Sequence, residues 1–182
     1  MGDPTPHTPA RRIVAAFSRY PEALAWARDE AAAIWGPIAL ASDEFHFLET
    51  DYYQPTMGAN LIKMFWVFER PMDPADLVDD KLTSGTIEAA YAKLQRHPEP
   101  RPLNLDPGYL TSAKLVLAST KDHAHRIYLS RGIFAEVTLH YQHRGWRHHE
   151  WTFPDYRRAD YQEFFTHARE QLRRQERQER PK

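Results

Sequence analysis

The sequence predicts a single α+β domain, in which a ferredoxin-like βαββαβ core is followed by an antiparallel hairpin extension and a C-terminal helix. Two patterns carry this prediction: strand-like and helix-like apolar segments alternate over residues 13–106, and period-2 alternation occupies residues 133–141. The length of 182 residues suits one domain with a proper core. We expect the domain to span residues 12–175, between a disordered tail at residues 1–11 and a solvated tail at residues 176–182.

The first strand and helix are predicted by an apolar run and an apolar stripe. Residues 13–17 form a run typical of a buried strand. A helix follows between Pro21, which suits a first helical position, and Gly36, which together with Pro37 is a strong stop. Its apolar stripe consists of Leu24, Ala27, Ala31, Ile34 and Trp35.

Further strands and a second helix complete the predicted core. Residues 38–47 and 61–69 read as extended segments. Asp73 and Pro74 fit the N-cap and the first position of a helix that runs to about residue 96. Residues 101–106 form the next extended segment.

The second half of the chain predicts the antiparallel extension. Residues 125–129 and 133–141 form a hairpin around the loop Ser130-Arg131-Gly132, which pairs Leu129 with Ile133. A turn at residues 142–145 leads into a strand over residues 146–153, which Pro154 ends. A closing helix is predicted by one apolar stripe: Tyr161, Phe164, Phe165, Ala168 and Leu172.

Composition argues against several classes of function. Net charge is −1, with 24 basic and 25 acidic residues, whereas a nucleic-acid-binding domain often has a pI above about 9. The chain has no cysteine, which excludes disulfides, thiol catalysis and Cys-based metal sites. No apolar stretch approaches the roughly 18 residues of a membrane helix, and no signal peptide is recognisable. We therefore expect a cytoplasmic protein without nucleic-acid or membrane partners.

Two side chains of the hairpin form the first candidate site. With the predicted loop, Arg126 lies directly opposite Glu136 on the polar face of the hairpin. One interpretation is a cross-strand ion pair that contributes at most about 1 kcal/mol. The other is a pocket in which Arg126 binds an anion and Glu136 is a catalytic acid or base.

Further polar residues extend this candidate site. Lys63 interrupts an apolar strand, so its ammonium is either exposed or, if that face is covered, needs a partner or a ligand. Asn104 and Asp106 stand at a predicted strand end, and Asp106 is the second candidate acid or base. The residues that follow Asp106, Pro107 and Gly108, predict a turn. Thr120 and Lys121 bring a hydroxyl and an ammonium together, although no Gly-rich phosphate-binding loop is present.

Buried charges need partners, so we predict that five of these groups converge around one cavity: Lys63, Asp106, Lys121, Arg126 and Glu136. The histidines show no metal-ligand spacing, and His140 would face His149 only if the second turn is centred on Arg144-Gly145. We expect no bound metal and no other cofactor. Magnesium is the one ion that Asp106 and Glu136 could bind as oxygen ligands.

Two long segments are distinctive: LNLDPGYLTSAKLVLASTKDHAHRIYLSRGIFAEVTLHY, followed by WTFPDY, and TDYYQPTMGANLIKMFWVFE. They resemble the prokaryotic domain-of-unknown-function family 4416, over roughly residues 12–175. Thr56 departs from the family pattern, which usually has Glu there, and Phe153 stands where Tyr is usual. The resemblance implies no known reaction, but it implies these polar family positions: Asp51, Tyr53, Lys63, Lys81, Glu88, Asn104, Asp106, Lys114, Lys121, Arg126, Glu136, Thr138 and Asp155.

Three hypotheses about function stay open. The first is a protein that binds or acts on a small anionic ligand, phosphorylated or not, with Lys63, Lys121 and Arg126 supplying the positive charge. The second is a non-catalytic interaction protein whose charges form structural ion-pair networks. The third is an RNA-associated module that stacks bases on exposed sheet aromatics. An open mixed-charge pocket would favour the ligand, and fully closed ion pairs would favour the interaction protein. A basic sheet face would favour the RNA-associated module.

Overall fold

The computed structural model describes residues 2–3 and 5–179, and these form four helices and nine strands. The strands are β1 (Arg11–Ser18), β2 (Ile38–Ala41), β3 (Phe45–Phe47), β4 (Leu61–Pro71), β5 (Asn104–Leu110), β6 (Lys114–Ser119), β7 (Ile127–Ser130), β8 (Ile133–Gln142) and β9 (Gly145–His148). The helices are α1 (Pro21–Trp35), α2 (Gln54–Met57), α3 (Leu77–Lys93) and α4 (Ala159–Glu179), with 3₁₀ turns at Pro74–Asp76 and Pro154–Arg157. The α+β class is confirmed.

The nine strands of this described part form one sheet in which all neighbours are antiparallel. The strand order is β2-β4-β1-β5-β6-β8-β7. β3 pairs with β4 further along the edge that β2 occupies, and β9 pairs with β8 further along the edge that β7 occupies.

Helices cover both faces of this sheet. α1 and α3 pack on one face, where Trp66 and Tyr91 belong to one buried cluster. α4 packs on the opposite face, where the rings of Phe165 and Phe65 lie 4.9 Å apart. β1 is buried along its whole length. The central strands β1 and β4 therefore lack the exposed aromatic face that the RNA hypothesis requires.

The strongest apolar patterns predicted their elements correctly. β1, α1 and α4 contain the predicted strand and helices, and every residue of the predicted α4 stripe is buried. The side chain of Asp73 accepts a hydrogen bond from the backbone N–H of Ala75 at 2.9 Å, as expected of an N-cap. Ile34 is exposed, because the buried face of α1 is centred on Ala27 and Ala31. None of the helices in the described part is both long enough and apolar enough to cross a membrane.

Several predicted boundaries are wrong. The segment 38–47 is two strands, because Ser42 between them bonds to Phe65 through its own backbone and Oγ. β6 was not predicted. β9 ends at His148, where the predicted strand continues to residue 153.

The two predicted tails also differ from the structure at their inner ends. β1 begins at Arg11, inside the first predicted tail, and Ala10 is already buried. α4 continues to Glu179, inside the second. Residues 1 and 4 of the first tail and residues 180–182 of the second lie outside the described residues.

The hairpin of β7 and β8 has a shorter loop than predicted, and Ile133 pairs with Ser130 and not with the predicted Leu129, but the register farther from the loop is the predicted one. Ser130 pairs with Ile133, so Arg131 and Gly132 form a two-residue turn with φ of 50° and 76°. The register then shifts between Tyr128 and Ser130. This bulge offsets the shorter loop, so Ile127 lies opposite Ala135, as the three-residue loop also predicted.

The predicted turn at Asp106-Pro107-Gly108 is wrong, because these residues lie within β5. The chain turns later, where the backbone N–H of Thr111 donates to the carbonyl of Lys114 at 2.9 Å. Gly108 is required by the neighbouring strand instead: a Cβ there would lie 2.2 Å from the carbonyl oxygen of Val116. A glycine inside a strand can mark such a close backbone approach.

Candidate functional site

Strands β5 and β6 pair over a short stretch and then diverge, and we call the gap between them the seam. The pairing runs from Leu110 opposite Leu115 to Gly108 opposite Leu117 and ends there. Backbone groups of alternate residues point to the same side of a strand, so Pro107 turns its nitrogen toward β6. Proline has no N–H to donate, which ends the ladder at this point.

Helix α3 satisfies the unpaired edge of β5 at the seam. Glu88 Oε1 accepts a hydrogen bond from the backbone N–H of Leu105 at 2.8 Å, and Lys81 Nζ donates to the Leu105 carbonyl at 3.1 Å. Burial raises the pKa of Glu88, although Lys81 and the Leu105 N–H oppose the shift. Two side chains thus replace the bonds that β6 would make, and the strands can stay apart.

The seam opens into a cavity of about 460 Å³. Every residue predicted for the site lines it: Lys63, Asn104, Asp106, Thr120, Lys121, Arg126 and Glu136. The structure thus brings these seven residues together, whereas their roles in binding or catalysis stay predictions.

The lining divides by exposure into a buried floor and an exposed mouth. The floor includes Lys63, Asn104, Glu136, Asp155 and Tyr156, all buried. The mouth includes Tyr52, Arg101, Thr120, Lys121 and Phe153, all exposed. A ligand that enters the cavity would therefore meet exposed cations before it meets the buried charges.

Lys63 finds its partner in Asp155, 92 residues away in sequence. Lys63 Nζ lies 2.6 Å from Asp155 Oδ2, and each side chain is 4% exposed. Five aromatic rings surround the ammonium, with centroids 4.5 to 5.9 Å from Nζ: Phe17, Phe47, Phe65, Tyr156 and Tyr161. Of the two interpretations of Lys63, the covered one is correct.

Arg126 is paired with Glu136, as the hairpin register predicted. Its Nε donates to Glu136 Oε2 at 2.9 Å, and its Nη1 donates to Ser119 Oγ at 2.7 Å and to the Lys121 carbonyl at 3.0 Å. The Arg126 side chain is 4% exposed. A guanidinium has five N–H donors, and within the described residues the two on Nη2 have no acceptor.

Glu136 has one satisfied and one unsatisfied carboxylate oxygen. Oε2 also contacts His125 Nε2 at 3.1 Å, whereas Oε1 is buried and has no hydrogen-bond partner among the described residues. The hydroxyl of Tyr156 on the floor is in the same situation. Neither atom marks a ligand position by itself, because further buried polar atoms of the described residues outside the cavity lining also have no partner: Trp66 Nε1, Thr138 Oγ1, Trp146 Nε1 and Tyr161 Oη.

Asp106 is held as an ionised acceptor. Lys81 Nζ donates to its Oδ1 at 2.8 Å, and Asn104 Nδ2 donates to its Oδ2 at 3.0 Å. Burial raises the pKa of Asp106, but Lys81, Lys63 and Asn104 together outweigh it and the pKa is lowered from its ordinary value. A carboxylate with a lowered pKa accepts hydrogen bonds well but takes up a proton poorly near neutral pH.

Lys121 is the least restrained cation of the cavity. Its Nζ donates to the Tyr52 hydroxyl at 2.8 Å and lies 4.2 Å from the centre of that ring. This hydrogen bond lowers the pKa of Tyr52. Among the cavity cations in the described residues, Lys121 alone has no carboxylate within 4.0 Å.

Sequence reasoning missed several lining residues. Tyr52, Arg101 and Tyr156 were not predicted, and Lys81 and Asp155 entered only through the resemblance. A covered Lys63 needs a partner, and this requirement pointed to an acidic residue such as Asp155. The sequence does not show which acidic residue lies close to Lys63 in space. Nine of the polar positions that the resemblance implied line the cavity: Tyr53, Lys63, Lys81, Asn104, Asp106, Lys121, Arg126, Glu136 and Asp155.

The histidines near the hairpin form a stack of rings. The turn lies at residues 142–145, as predicted, and is centred on His143-Arg144. His140 Nδ1 and His149 Nε2 nevertheless lie 3.2 Å apart, although we expected this pair only for a turn centred on Arg144-Gly145. Burial, and then His140, lower the pKa of His149. In the part of the chain that the structure describes, no three His, Asp or Glu residues are placed to hold a metal ion together.

Comparison with known proteins gives a family without an assigned function. A family model described as "Domain of unknown function (DUF4416)" matches residues 8–172. No curated protein and no solved structure matches the chain.

Proposed function

The chain belongs to the family described as Domain of unknown function (DUF4416), and from this premise, which assigns no reaction, we propose that it binds a small anionic ligand in the cavity at the seam. The observation that carries the proposal is the guanidinium of Arg126. It is nearly buried in the cavity wall, yet its Nη2 donors have no acceptor among the described residues. An anionic oxygen would provide one, in a charge-assisted hydrogen bond.

The end of β6 adds a further donor for an anion. The Lys114 carbonyl faces β5, since it accepts from Thr111. By the alternation along the strand, the backbone N–H of Ala118 also turns toward β5, at the seam. The Thr120 hydroxyl and the Lys121 ammonium lie beside it in the lining. A backbone amide, a hydroxyl and two cations together form a suitable anion site.

One observation favours a second candidate, a purely structural ion-pair network. The pairs Lys63–Asp155 and Arg126–Glu136 are almost fully buried. A closed network of this kind would satisfy all of its buried donors and acceptors. Arg126 Nη2 has no acceptor among the described residues and is not one of their fully buried unpartnered atoms, so a ligand in the cavity can reach it. This open donor is why we prefer the ligand.

The catalytic role predicted for Glu136 and Asp106 stays a proposal that needs one of the two carboxylates to be released from its partners. Glu136 is paired with Arg126 and its second oxygen is buried, whereas Asp106 is accessible but both of its oxygens accept hydrogen bonds and its pKa is lowered. Magnesium would need one or two of these carboxylates together with oxygens of the ligand, which is how Mg²⁺ commonly accompanies phosphates.

We also propose that the first half of the sheet is a ferredoxin-like core. In its favour, β2, β4, β1 and β5 are neighbours in that order, all antiparallel, and α1 and α3 pack on one face. β3 would then be an addition beside β2. The cytoplasm stays the proposed compartment on composition alone.

A thermal-shift and calorimetric titration with inorganic phosphate, pyrophosphate, sulfate and citrate tests the binding proposal. An anion at about 100 times its Kd should stabilise the wild type by roughly 2.7 kcal/mol. Lys121→Gln removes the surplus cation, and Arg126→Lys keeps the charge but removes the Nη2 donors. Both should weaken binding about tenfold.

Lys114→Gln is the matched control, because Lys114 is an exposed lysine at the start of β6 and lies outside the cavity lining. It should bind like the wild type. If none of the four anions binds, or if binding is unchanged in both cavity variants, the ion-pair network is the better explanation.

A further inference from the structure

We infer that the ligand of this cavity is a phosphorylated polyol or sugar, bound with its phosphate at the mouth and its hydroxyls at Asp106 beside the floor. This inference rests on the proposed function, because it names the chemical class of the same anionic ligand. It follows from the distribution of charge, from the accessible carboxylate of Asp106 and from the rings of the lining.

The charge of the cavity is unevenly distributed. Three cation–carboxylate pairs cancel formally in its interior: Lys63 with Asp155, Lys81 with Asp106, and Arg126 with Glu136. The other paired charges of the lining, Glu49 and Arg101, have their partners outside it, in Arg158 and Glu88. Lys121 at the mouth has no carboxylate partner among the described residues. An anionic group is therefore favoured near Lys121 and the neighbouring Arg126 Nη2, whereas the floor suits groups without net charge.

The floor already carries two carboxylates. Glu136 Oε2 is bonded by Arg126 and His125, and Asp155 is paired with Lys63. Glu136 Oε1 and the Tyr156 hydroxyl have no partner within the described part, but both are buried below the surface that a ligand in the cavity can touch. A second anionic group would be repelled by the two carboxylates, so an uncharged group of the ligand is favoured beside them.

Asp106 extends this preference beside the floor. Its side chain is 28% exposed and lies next to Asn104, so its remaining lone pairs are accessible from the cavity. Lys81 and Lys63 keep it ionised by lowering its pKa. A carboxylate of this kind accepts hydrogen bonds from hydroxyls and repels a second anion, so a ligand with several charges would fit poorly.

Aromatic rings offer contacts to the carbon skeleton of such a ligand. Phe47, Tyr53 and Tyr156 line the cavity together with the polar groups. C–H groups of a polyol or sugar can pack on these rings while its hydroxyls reach the charged side chains. The volume of about 460 Å³ lies within the range of about 300–1,000 Å³ that small-molecule sites have.

A graded series of phosphate esters on the intact chain tests the inference. Methyl phosphate has no hydroxyl, glycerol 3-phosphate has two and ribose 5-phosphate has more, and free ribose has no phosphate. We expect the affinity to rise along the three esters, by about tenfold or more from the first to the last. Ribose alone should bind more weakly than ribose 5-phosphate.

Two variants test which part of the cavity binds each end of the ligand. Asp106→Asn should weaken ribose 5-phosphate about tenfold while methyl phosphate stays within about twofold. Lys121→Gln should weaken all three esters alike, and Lys114→Gln should change none. The series on the wild type is independent of whether Asp106→Asn folds fully.

The possible outcomes distinguish a failure of the ligand class from a failure of the anion site. If methyl phosphate binds as tightly as ribose 5-phosphate, the hydroxyl subsite does not exist, although the anion site does. If citrate or sulfate binds while no ester does, the ligand class is wrong and the anion site again stands. If no anion of any kind binds, the proposed function fails together with the inference.

Discussion

The buried charges of the cavity depend on one another at the scale of single residues. Removing an ion from water costs several kcal/mol, and only a well-placed partner offsets that cost. Among the described residues, Asp155 alone has a carboxylate oxygen within 4.0 Å of Lys63 Nζ, at 2.6 Å. The surrounding rings attract the ammonium as well, since Tyr156 lies 4.5 Å from it. The rings cannot neutralise the charge of the ammonium, so the burial of Lys63 depends on Asp155.

Asp155→Asn should therefore lower the free energy of unfolding by about 3 kcal/mol, because it leaves a buried ammonium without a counter-charge. Urea denaturation at neutral pH measures this loss. The double variant Lys63→Met with Asp155→Asn should be more stable than Asp155→Asn alone, since it removes both charges.

Arg131→Gln is a matched control for that comparison. Arg131 and Asp79 also form an ion pair, but both side chains are mostly exposed. The change should cost no more than about 0.5 kcal/mol. Equal losses in Asp155→Asn and Arg131→Gln would contradict the view that burial makes the Lys63 pair important.

The lowered pKa of Asp106 predicts a pH-dependent contribution to stability. The folded protein binds this proton less readily than the unfolded chain, whose value is near the ordinary 3.8. Asp106 therefore stabilises the fold above that value, and the contribution is lost as pH falls through the lowered pKa. Denaturation of wild type and Asp106→Asn between about pH 6 and pH 3 should show their stability difference shrinking toward low pH. A constant difference would contradict the assignment.

At the scale of elements, the site exists because β5 and β6 approach closely at one end and separate at the other. Gly108 permits the approach, and Pro107 ends the ladder beside it. Lys81 and Glu88 of α3 then bond the free backbone of Leu105. The shape of the seam thus comes from two neighbouring residues of β5 and two side chains of one helix.

Gly108→Ala should destabilise the protein by about 1–3 kcal/mol, because its Cβ would collide with the Val116 carbonyl. Gly85→Ala is the matched control, and we expect it to change the stability in the opposite direction. Gly85 lies in the middle of α3 and a Cβ there meets nothing within 4 Å, so alanine should stabilise by up to about 1 kcal/mol. Thermal unfolding of both variants measures the two changes in stability. A destabilising Gly85→Ala or a neutral Gly108→Ala would contradict these expectations.

The same elements show what the sequence could predict. β1, α1 and α4 were predictable, because buried apolar residues repeat with the period of a strand or a helix. Asp106-Pro107-Gly108 was misread as a turn, because local turn chemistry does not reveal that another strand lies against the segment. The Arg126–Glu136 contact was predictable from a local hairpin, whereas the Lys63–Asp155 contact joins distant parts of the chain and no local pattern encodes it.

At the scale of the whole molecule, the seam divides the sheet into two parts. β1–β5 lie on one side and β6–β9 on the other, and in the described part of the chain direct strand pairing joins them only from Gly108 to Leu110. α4 also bridges the parts, since Phe165 contacts Phe65 of β4 and Trp146 of β9. The first part contains β1, which is buried throughout, whereas the second ends in β7, which is exposed throughout.

Native-state hydrogen exchange should resolve these two parts. Amides of β1 and β4 should exchange only through global unfolding, whereas amides of β7 should exchange through a local opening of lower free energy, because few buried groups oppose it. A ligand in the cavity would contact both rims of the seam. Saturating ribose 5-phosphate should therefore slow exchange at Leu105 of β5 and Ala118 of β6 more than at Leu40 of β2, which lies on the far edge of the sheet. If all amides respond by the same factor, the ligand acts on global stability alone, and the seam is not where it binds.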